Sequence, residues 1–130
     1  MVIDKAVLDN LTAQAQASPR LRMNLDLRNS AEDTSQRMLN AIEPGSVVPV
    51  HRHRKSSETL VVLRGRVVEE YYSSEGVVEE CIELAAGGSV CALNIPAGQW
   101  HTLRSLESGT VILEMKDGTY EEMKDEDVMR

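Results

Sequence analysis

The spacing of hydrophobic and polar residues changes at Pro19, which separates one predicted helix from a long series of predicted strands. Before Pro19, apolar residues recur with helical spacing, and Asp4 is placed as an N-cap. Because a proline disfavours helix at the residue before it, we expect a helix over residues 4–17 that ends at Ser18. The apolar positions of this helix are Ala6, Val7, Leu8, Leu11, Ala13 and Ala15.

From Arg20 onward the pattern alternates between polar and apolar residues, as in a strand with one buried face. The apolar face of this first predicted strand carries Leu21, Met23, Leu25 and Leu27. Its polar face, which includes Arg22 and Asn24, can point either into a polar barrel interior or to solvent, and the pattern leaves both open.

Further short predicted strands follow, and each ends at residues typical of turns, such as glycine, proline and serine. Such regular spacing predicts an all-β sandwich or barrel. The acidic stretch 121–130 has only weak helical character. The predicted strands are 37–42, 47–53, 59–64, 67–72, 77–84, 90–95 and 110–116, with another beginning near His101.

Length and composition narrow the class of protein. A chain of 130 residues suits one domain, so we expect residues 1–19 to form a helix that packs on a single barrel domain over 20–130. The net charge of −7 argues against nucleic acid as a partner. There is no long apolar run for a membrane span, and the two cysteines lack metal or redox spacing, so we expect a cytoplasmic protein.

All three histidines of the chain fall in one pattern with a glutamate. His51 and His53 are two residues apart and would share one face of an extended strand, and a turn over 54–57 returns the chain at Glu58. His101 follows the turn residues Pro96, Ala97 and Gly98. Three imidazoles and one carboxylate suit one divalent ion, either Zn, Fe, Mn, Ni or Co. We therefore predict a metal site at His51, His53, Glu58 and His101.

The spacing Gly45-x5-His51-x-His53-x4-Glu58-x6-Gly65 resembles the first signature of the cupin superfamily, and Pro96-x-Gly98-x2-His101 resembles the middle of the second. The resemblance implies a small cupin, that is, a double-stranded β-helix or jelly-roll-like barrel with a short N-terminal α-helix. Seven residues rather than five separate Gly88 from Pro96, and Ser105 stands where the family often has Asn. Neither departure affects a ligand position.

A narrower resemblance, to the WbuC family of cupin-fold metalloproteins, extends over nearly the whole chain. It rests on the segments 18–24, 36–41, 63–66 and 114–120 together with His51-Arg52-His53, while Val50 replaces an expected proline. This resemblance implies a bacterial protein, often encoded beside genes for surface-polysaccharide synthesis, and no known reaction.

Side-chain parity and charge suggest what the barrel could bind. The arginines near the histidines are either solvated charges at strand edges or a patch for a small anionic molecule, because guanidinium binds planar oxyanions with two hydrogen bonds. We therefore expect either a metal-dependent enzyme, an isomerase, epimerase or oxygenase acting on a sugar or nucleotide-sugar intermediate, or a non-catalytic binding or sensing cupin. A homodimer is expected from open strand edges. The candidate substrate-binding residues are Arg22, Asn24, Arg37, Arg64, Glu114 and Trp100.

Overall fold

The computed structural model describes all 130 residues and contains one α-helix, eight strands and a short 3-10 helix. This architecture confirms the predicted all-β fold with an N-terminal helix. The elements are α1 Lys5–Ala17, β1 Arg22–Asp26, β2 Ser35–Ile42, β3 Glu58–Arg64, β4 Arg66–Tyr72, β5 Val78–Ala85, β6 Ala92–Ile95, β7 Trp100–Ser105, β8 Val111–Asp117 and a 3-10 helix at Asp125–Asp127.

The strands form two antiparallel sheets that face each other. One sheet has five strands in the order β1-β2-β8-β3-β6, and the other has three in the order β5-β4-β7. Alternate residues of each strand point between the sheets, and the aliphatic ones pack there out of water. This apolar core consists of Ile42, Leu60, Val62, Val67, Leu84, Leu103 and Ile112.

Helix α1 covers the outer face of the five-stranded sheet. Asp4 caps the helix by accepting a hydrogen bond from the backbone N–H of Val7 at 3.1 Å. Leu11 and Ala15 of the helix are buried with the outward side chains of β2 and β8 in a second apolar cluster. Since that apolar face of the sheet is covered by the helix, the opposite face of the same strands is left to line the barrel interior.

The predicted strand over 47–53 is not a strand in the structure. Pro49 lies within it and has no N–H for a ladder, and only two isolated bridges form, from His51 to His101 and from His51 to Val128. The first strand also begins later than expected, at Arg22, because Leu21 adopts a left-handed conformation with φ of 55°.

A further difference comes from a local irregularity in β3. The pairing of β3 with β8 shifts register between Val62 and Arg64, a bulge that ends the strict alternation begun at Glu58. The acidic end of the chain, expected to have only weak helical character, forms no more than the short 3-10 helix and lies along residues 50–54.

The turn between β3 and β4 requires a glycine. Gly65 has φ of 83°, and a Cβ atom there would lie 2.2 Å from Oγ1 of Thr110. The close approach of this turn to the start of β8 is therefore possible only without a side chain.

Neither helix of the structure has the length and apolar character needed to cross a membrane.

Candidate metal centre

The histidines meet where the 50–54 segment lies beside strand β7. The backbone N–H of His51 donates to the carbonyl of His101 at 3.0 Å, and the N–H of His101 donates to the carbonyl of His51 at 2.8 Å. This reciprocal pair fixes the two rings with their centroids 4.5 Å apart. One ring nitrogen from each of His51, His53 and His101 lies within 4.8 Å of the others, so the three histidines could bind a metal ion.

Glu58, at the start of β3 on the opposite sheet, lies beside two of the three rings. Its Oε2 lies 3.6 Å from Nε2 of His53 and 3.7 Å from Nε2 of His101. Ligand atoms that share an ion at ordinary bond lengths stand about 3 to 3.5 Å apart, only slightly closer than these. Oε2 of Glu58 and Nε2 of His101 are both buried without a hydrogen-bond partner. Because unpartnered buried polar atoms are costly, this pair fits a site built to hold a cation.

His51 and His101 each have a hydrogen-bond partner at Nδ1, the ring nitrogen that points away from the candidate centre, and these contacts set the orientation of the two rings. Nδ1 of His51 lies 2.8 Å from the carbonyl oxygen of Pro49, to which it donates its proton. Nδ1 of His101 lies 2.5 Å from Oε1 of Glu69. A proton on Nδ1 leaves the lone pair of Nε2 directed into the group of ligands, which is the tautomer that metal binding needs.

Burial keeps the three rings neutral, the state in which imidazole ligates a metal. Removal from water lowers the pKa of His51 to about 4, that of His53 to about 3 and that of His101 to about 4. Burial, together with the nearby Glu114, raises the pKa of Glu58 well above its usual range, while Lys116 opposes that rise. A bound divalent cation would favour the ionised carboxylate that ligation requires.

Glu69 is a site residue that the sequence did not predict. It is fully buried in β4, and burial and then Glu114 raise its pKa to about 9. The sequence pattern of β4 could have indicated this residue, because Glu69 lies two positions after Val67 and therefore on the same face of the strand, and Val67 is fully buried. A glutamate on a buried strand face needs a polar partner, and here that partner is His101.

Two cavities reach the candidate centre from different sides. The inner cavity, about 270 Å³, is lined by Glu58, Glu114 and Lys116 among others. The tail cavity, about 310 Å³, is lined by His53, Lys116 and residues of the C-terminal segment. Each cavity therefore reaches one of the predicted metal ligands, and Lys116 lies on the wall of both.

Three of the six candidate substrate residues line the inner cavity. Asn24, Arg37 and Glu114 all contribute to its wall beside Glu58. The polar face of β1 therefore looks toward the cavity, while Met23 and Leu25 pack toward α1. Asn40, a neighbour that the sequence did not single out, donates to Oε1 of Glu114 at 3.3 Å.

The structure places the other three candidates elsewhere. Arg64 donates to Asp9 and Thr12 of α1 and to the carbonyl of Gly109, because the bulge in β3 turns it away from the face of Glu58. Arg22 donates to the carbonyl of Val47 at 2.6 Å. Trp100 precedes His101 on β7 and so projects to the other side of the sheet, where the guanidinium of Arg52 lies 4.5 Å from its ring centre.

The C-terminal segment holds the 50–54 segment in place. Asp127 is buried and accepts hydrogen bonds from Nε of Arg52 at 2.9 Å and from Nε of Arg54 at 2.5 Å. The N–H of Arg52 also donates to the carbonyl of Asp127, and the N–H of Met129 donates to that of Val50. His51 and His53 are thus fixed between β7 on one side and the end of the chain on the other.

Residues 3–84, well over half of the chain, match the model of a family described as a domain of unknown function (DUF6016). The chain belongs to the DUF6016 family. No curated protein matches the sequence of this DUF6016 chain.

Several solved structures share the fold of this DUF6016 protein at low identity. Oxalate oxidase in complex with the substrate analogue glycolate has a TM-score of 0.67 at 16% identity, covering 84% of this chain and 57% of its own. The capsular polysaccharide assembling protein CapF from Staphylococcus aureus has a TM-score of 0.65 at 20% identity, covering 86% and 32%. KdgF from Halomonas sp. has a TM-score of 0.62 at 16% identity, covering 79% and 84%.

These likenesses establish the fold as a cupin jelly roll, and a cupin domain of Schizosaccharomyces pombe Cnp3 is also similar, with a TM-score of 0.58 at 13% identity. The chain spans only about a third of CapF and somewhat over half of oxalate oxidase. At such identities the similarity concerns the fold alone.

Proposed function

We propose that this chain is a metal-dependent enzyme of the cupin fold that acts on a small anionic substrate. The candidate substrate is a sugar or nucleotide-sugar intermediate of bacterial surface-polysaccharide synthesis. The resemblance of the sequence to the WbuC family supports this context, as does the fold shared with CapF, a protein described as assembling capsular polysaccharide.

The observation that carries the proposal is the cluster of ring nitrogens of His51, His53 and His101 within 4.8 Å of one another. The buried, unpartnered carboxylate oxygen of Glu58 lies 3.6 Å from the second of these rings and 3.7 Å from the third. His51, His53, His101 and Glu58 would hold one divalent ion, either Zn, Fe, Mn, Ni or Co. Such an ion supplies Lewis-acid chemistry, in which a carbonyl or hydroxyl oxygen of the substrate is polarised.

The residues of the chain supply orientation and exclusion of water. Glu69 holds the ring of His101 with Nε2 toward the centre, and Pro49 does the same for His51. Asn24 and Glu114 line the adjoining inner cavity, where an amide and a carboxylate can hydrogen-bond substrate hydroxyl groups. The inner cavity, at about 270 Å³, suits a small molecule rather than a polymer.

Elemental analysis tests the metal site directly. Protein purified without a histidine tag or chelator is compared with the double variant His51→Ala, His53→Ala and with Ser57→Ala, a control on an exposed residue of the same loop. We expect one metal ion per chain in the wild type and in Ser57→Ala, and none in the double variant. Equal metal content in all three proteins would refute the site.

The coordination of the bound ion then separates a catalytic site from a non-catalytic one. An enzyme needs a coordination position that exchanges water, whereas a structural zinc site is closed by four protein ligands. Water exchange at a bound ion, measured by relaxation of solvent protons in Mn-loaded protein, is the expected result. A closed zinc site without exchangeable water would support the binding or sensing role instead.

A further inference from the structure

The arginines expected to bind an anion are all engaged with protein groups. Arg22 donates to the carbonyl of Val47, and Arg37 donates to Asp33 at 3.1 Å and to the carbonyl of Ser35 at 2.6 Å. Arg64 donates to Asp9 of α1 at 2.6 Å. A small anion at the candidate metal centre would therefore need another cationic partner.

Lys116 is placed to be that partner. It lies directly opposite Glu58 in the pairing of β3 with β8, on the same face of the sheet, and its side chain lines both the inner cavity and the tail cavity. Unlike Lys5 and Lys55, which pair with Asp9 and Glu121, Lys116 forms no salt bridge. A half-buried ammonium without a carboxylate partner favours an anionic ligand.

The polar group that Lys116 does contact is the ring of a predicted metal ligand. Its Nζ lies 3.4 Å from Nδ1 of His53. Nδ1 of a neutral imidazole can accept from the ammonium only while the ring proton is on Nε2. Nε2 is the atom that faces Glu58, at 3.6 Å.

Ligation of an ion by Nε2 of His53 therefore conflicts with the contact to Lys116. When Nε2 of His53 is the ligand atom, the proton of the neutral ring must be on Nδ1. Nδ1 is then a donor, like the ammonium of Lys116 that faces it, so the hydrogen bond between these two groups is lost. The ammonium is then left without a protein partner beside the candidate centre. Binding of the ion and availability of Lys116 for a ligand are coupled through this one ring.

We propose that Lys116 is the anion-binding residue of the site and that it takes the carboxylate of a small ligand whose neighbouring oxygen is held at the metal centre. This inference rests on the proposed function and adds the residue and the chemical group that it recognises. A singly charged carboxylate is favoured over a more highly charged group, because Glu114 shares the cavity wall with Lys116.

The test compares two probes of nearly equal shape that differ in charge, glycolate and glycolamide, by calorimetry on the metal-loaded full chain. Lys116→Met keeps the length of the side chain and removes its charge, and Lys116→Arg keeps the charge. Lys55→Met is the matched control, since Lys55 lines the same tail cavity but pairs with Glu121.

We expect Lys116→Met to weaken glycolate binding about tenfold or more, because a hydrogen bond between charged groups is lost. Binding of glycolamide should change less than about twofold, because this probe is neutral and forms no ion pair with Lys116 that the substitution could remove. Lys116→Arg should retain most of the affinity for glycolate, and Lys55→Met all of it. The affinity for the metal itself should rise in Lys116→Met, because the hydrogen bond that competes for His53 is absent.

Three results would overturn the inference: no glycolate binding to the metal-loaded wild type, equal glycolate affinity in wild type and Lys116→Met, or equal losses for glycolate and glycolamide. Elemental analysis of the same samples separates the two claims. Absence of metal from the wild type refutes the proposed function as well, whereas a full complement of metal with no effect of Lys116 refutes only the role of Lys116.

Discussion

The contact between Glu69 and His101 provides the sharpest test of the candidate centre. Glu69→Gln keeps the size and shape of the side chain and leaves a carbonyl oxygen that can still accept the proton of Nδ1. Because burial raises the pKa of Glu69 to about 9, its carboxyl is protonated at neutral pH in the metal-free protein, and a bound cation beside His101 would favour its ionised form. Glutamine cannot ionise, so the substitution removes this negative charge from the metal-bound state. Since Glu69 is fully buried, no water can take its place.

The expected loss follows from the role of such outer hydrogen bonds. Replacing the carboxylate partner of a metal-ligating histidine lowers metal affinity about 10- to 100-fold, equivalent to about 1.4 to 2.8 kcal/mol. With free metal at 100 times the wild-type Kd, binding stabilises the wild type by about 2.7 kcal/mol. At that same metal concentration the stabilisation of Glu69→Gln falls to about 0.4 to 1.4 kcal/mol.

Thermal unfolding makes this difference measurable. For a chain of 130 residues, each kcal/mol corresponds to about 4 °C in Tm. Metal should therefore raise the Tm of the wild type by about 10 °C and that of Glu69→Gln by about 2 to 5 °C. Calorimetric titration with metal gives the affinities independently.

Glu70→Gln is the matched control, because Glu70 is the next residue of β4 and faces the other side of the sheet. Its metal-induced shift should equal that of the wild type. An unchanged metal affinity in Glu69→Gln would refute the reasoning, since Glu69 would then have no part in holding His101 as a ligand. Equal losses in both variants would also refute it, because the effect would not depend on the contact with His101.

Three other predictions concern stability and the C-terminal segment. The lowered pKa of His51 and of His101 (about 4 each) and of His53 (about 3) means that the unfolded chain binds more protons at these rings below about pH 6.5. The raised pKa of Glu58 and of Glu69 (about 9) acts in the opposite direction and largely offsets the rings near pH 6, so the stability of metal-free protein should fall mainly as pH drops from about 5.5 toward about 4. Urea midpoints across this range check it, and a flat profile would contradict it. Arg64→Ala should lower Tm while leaving metal content unchanged, because Arg64 ties the sheet to α1; loss of metal in this variant would contradict that role. Asp127→Asn should weaken metal binding and speed proteolysis of the C-terminal segment, because Arg52 loses its charged partner and Arg54 keeps only the more distant Glu126. Wild-type affinity and digestion rate would show that the segment does not position His51 and His53.

The elements and the candidate ligands were predictable because they depend on short-range patterns. Helical spacing before Pro19 and alternation after it are enough to predict one helix and a β-rich remainder, whatever the strand pairing. His51 and His53 share a face of any extended chain, and Glu58 returns after a short turn. These relations hold within a few residues and do not require a knowledge of the sheets.

The positions of the arginines show where such local reasoning fails. Parity along β3 places Arg64 with Glu58, but a single bulge after Val62 reverses it and sends the guanidinium to α1. The alternation along β1 did not show which of its two faces points into the barrel. Helix α1 determines this, because it covers the apolar face and leaves Asn24 on the side of the cavity. The strand expected over 47–53 does not form because Pro49 has no N–H for a ladder, and the segment is held instead by two isolated bridges of His51, to β7 and to the end of the chain.

Sequence patterns were sufficient for the class of fold and for the identity of the candidate ligands, because each follows from residues that are close together along the chain. The partners that make the site work are distant in sequence. Glu69 meets His101 across 32 positions, Lys116 meets His53 across 63, and Asp127 meets Arg52 across 75. Such contacts depend on which strands become neighbours and in what register, and that is decided by burial of the two apolar clusters on folding.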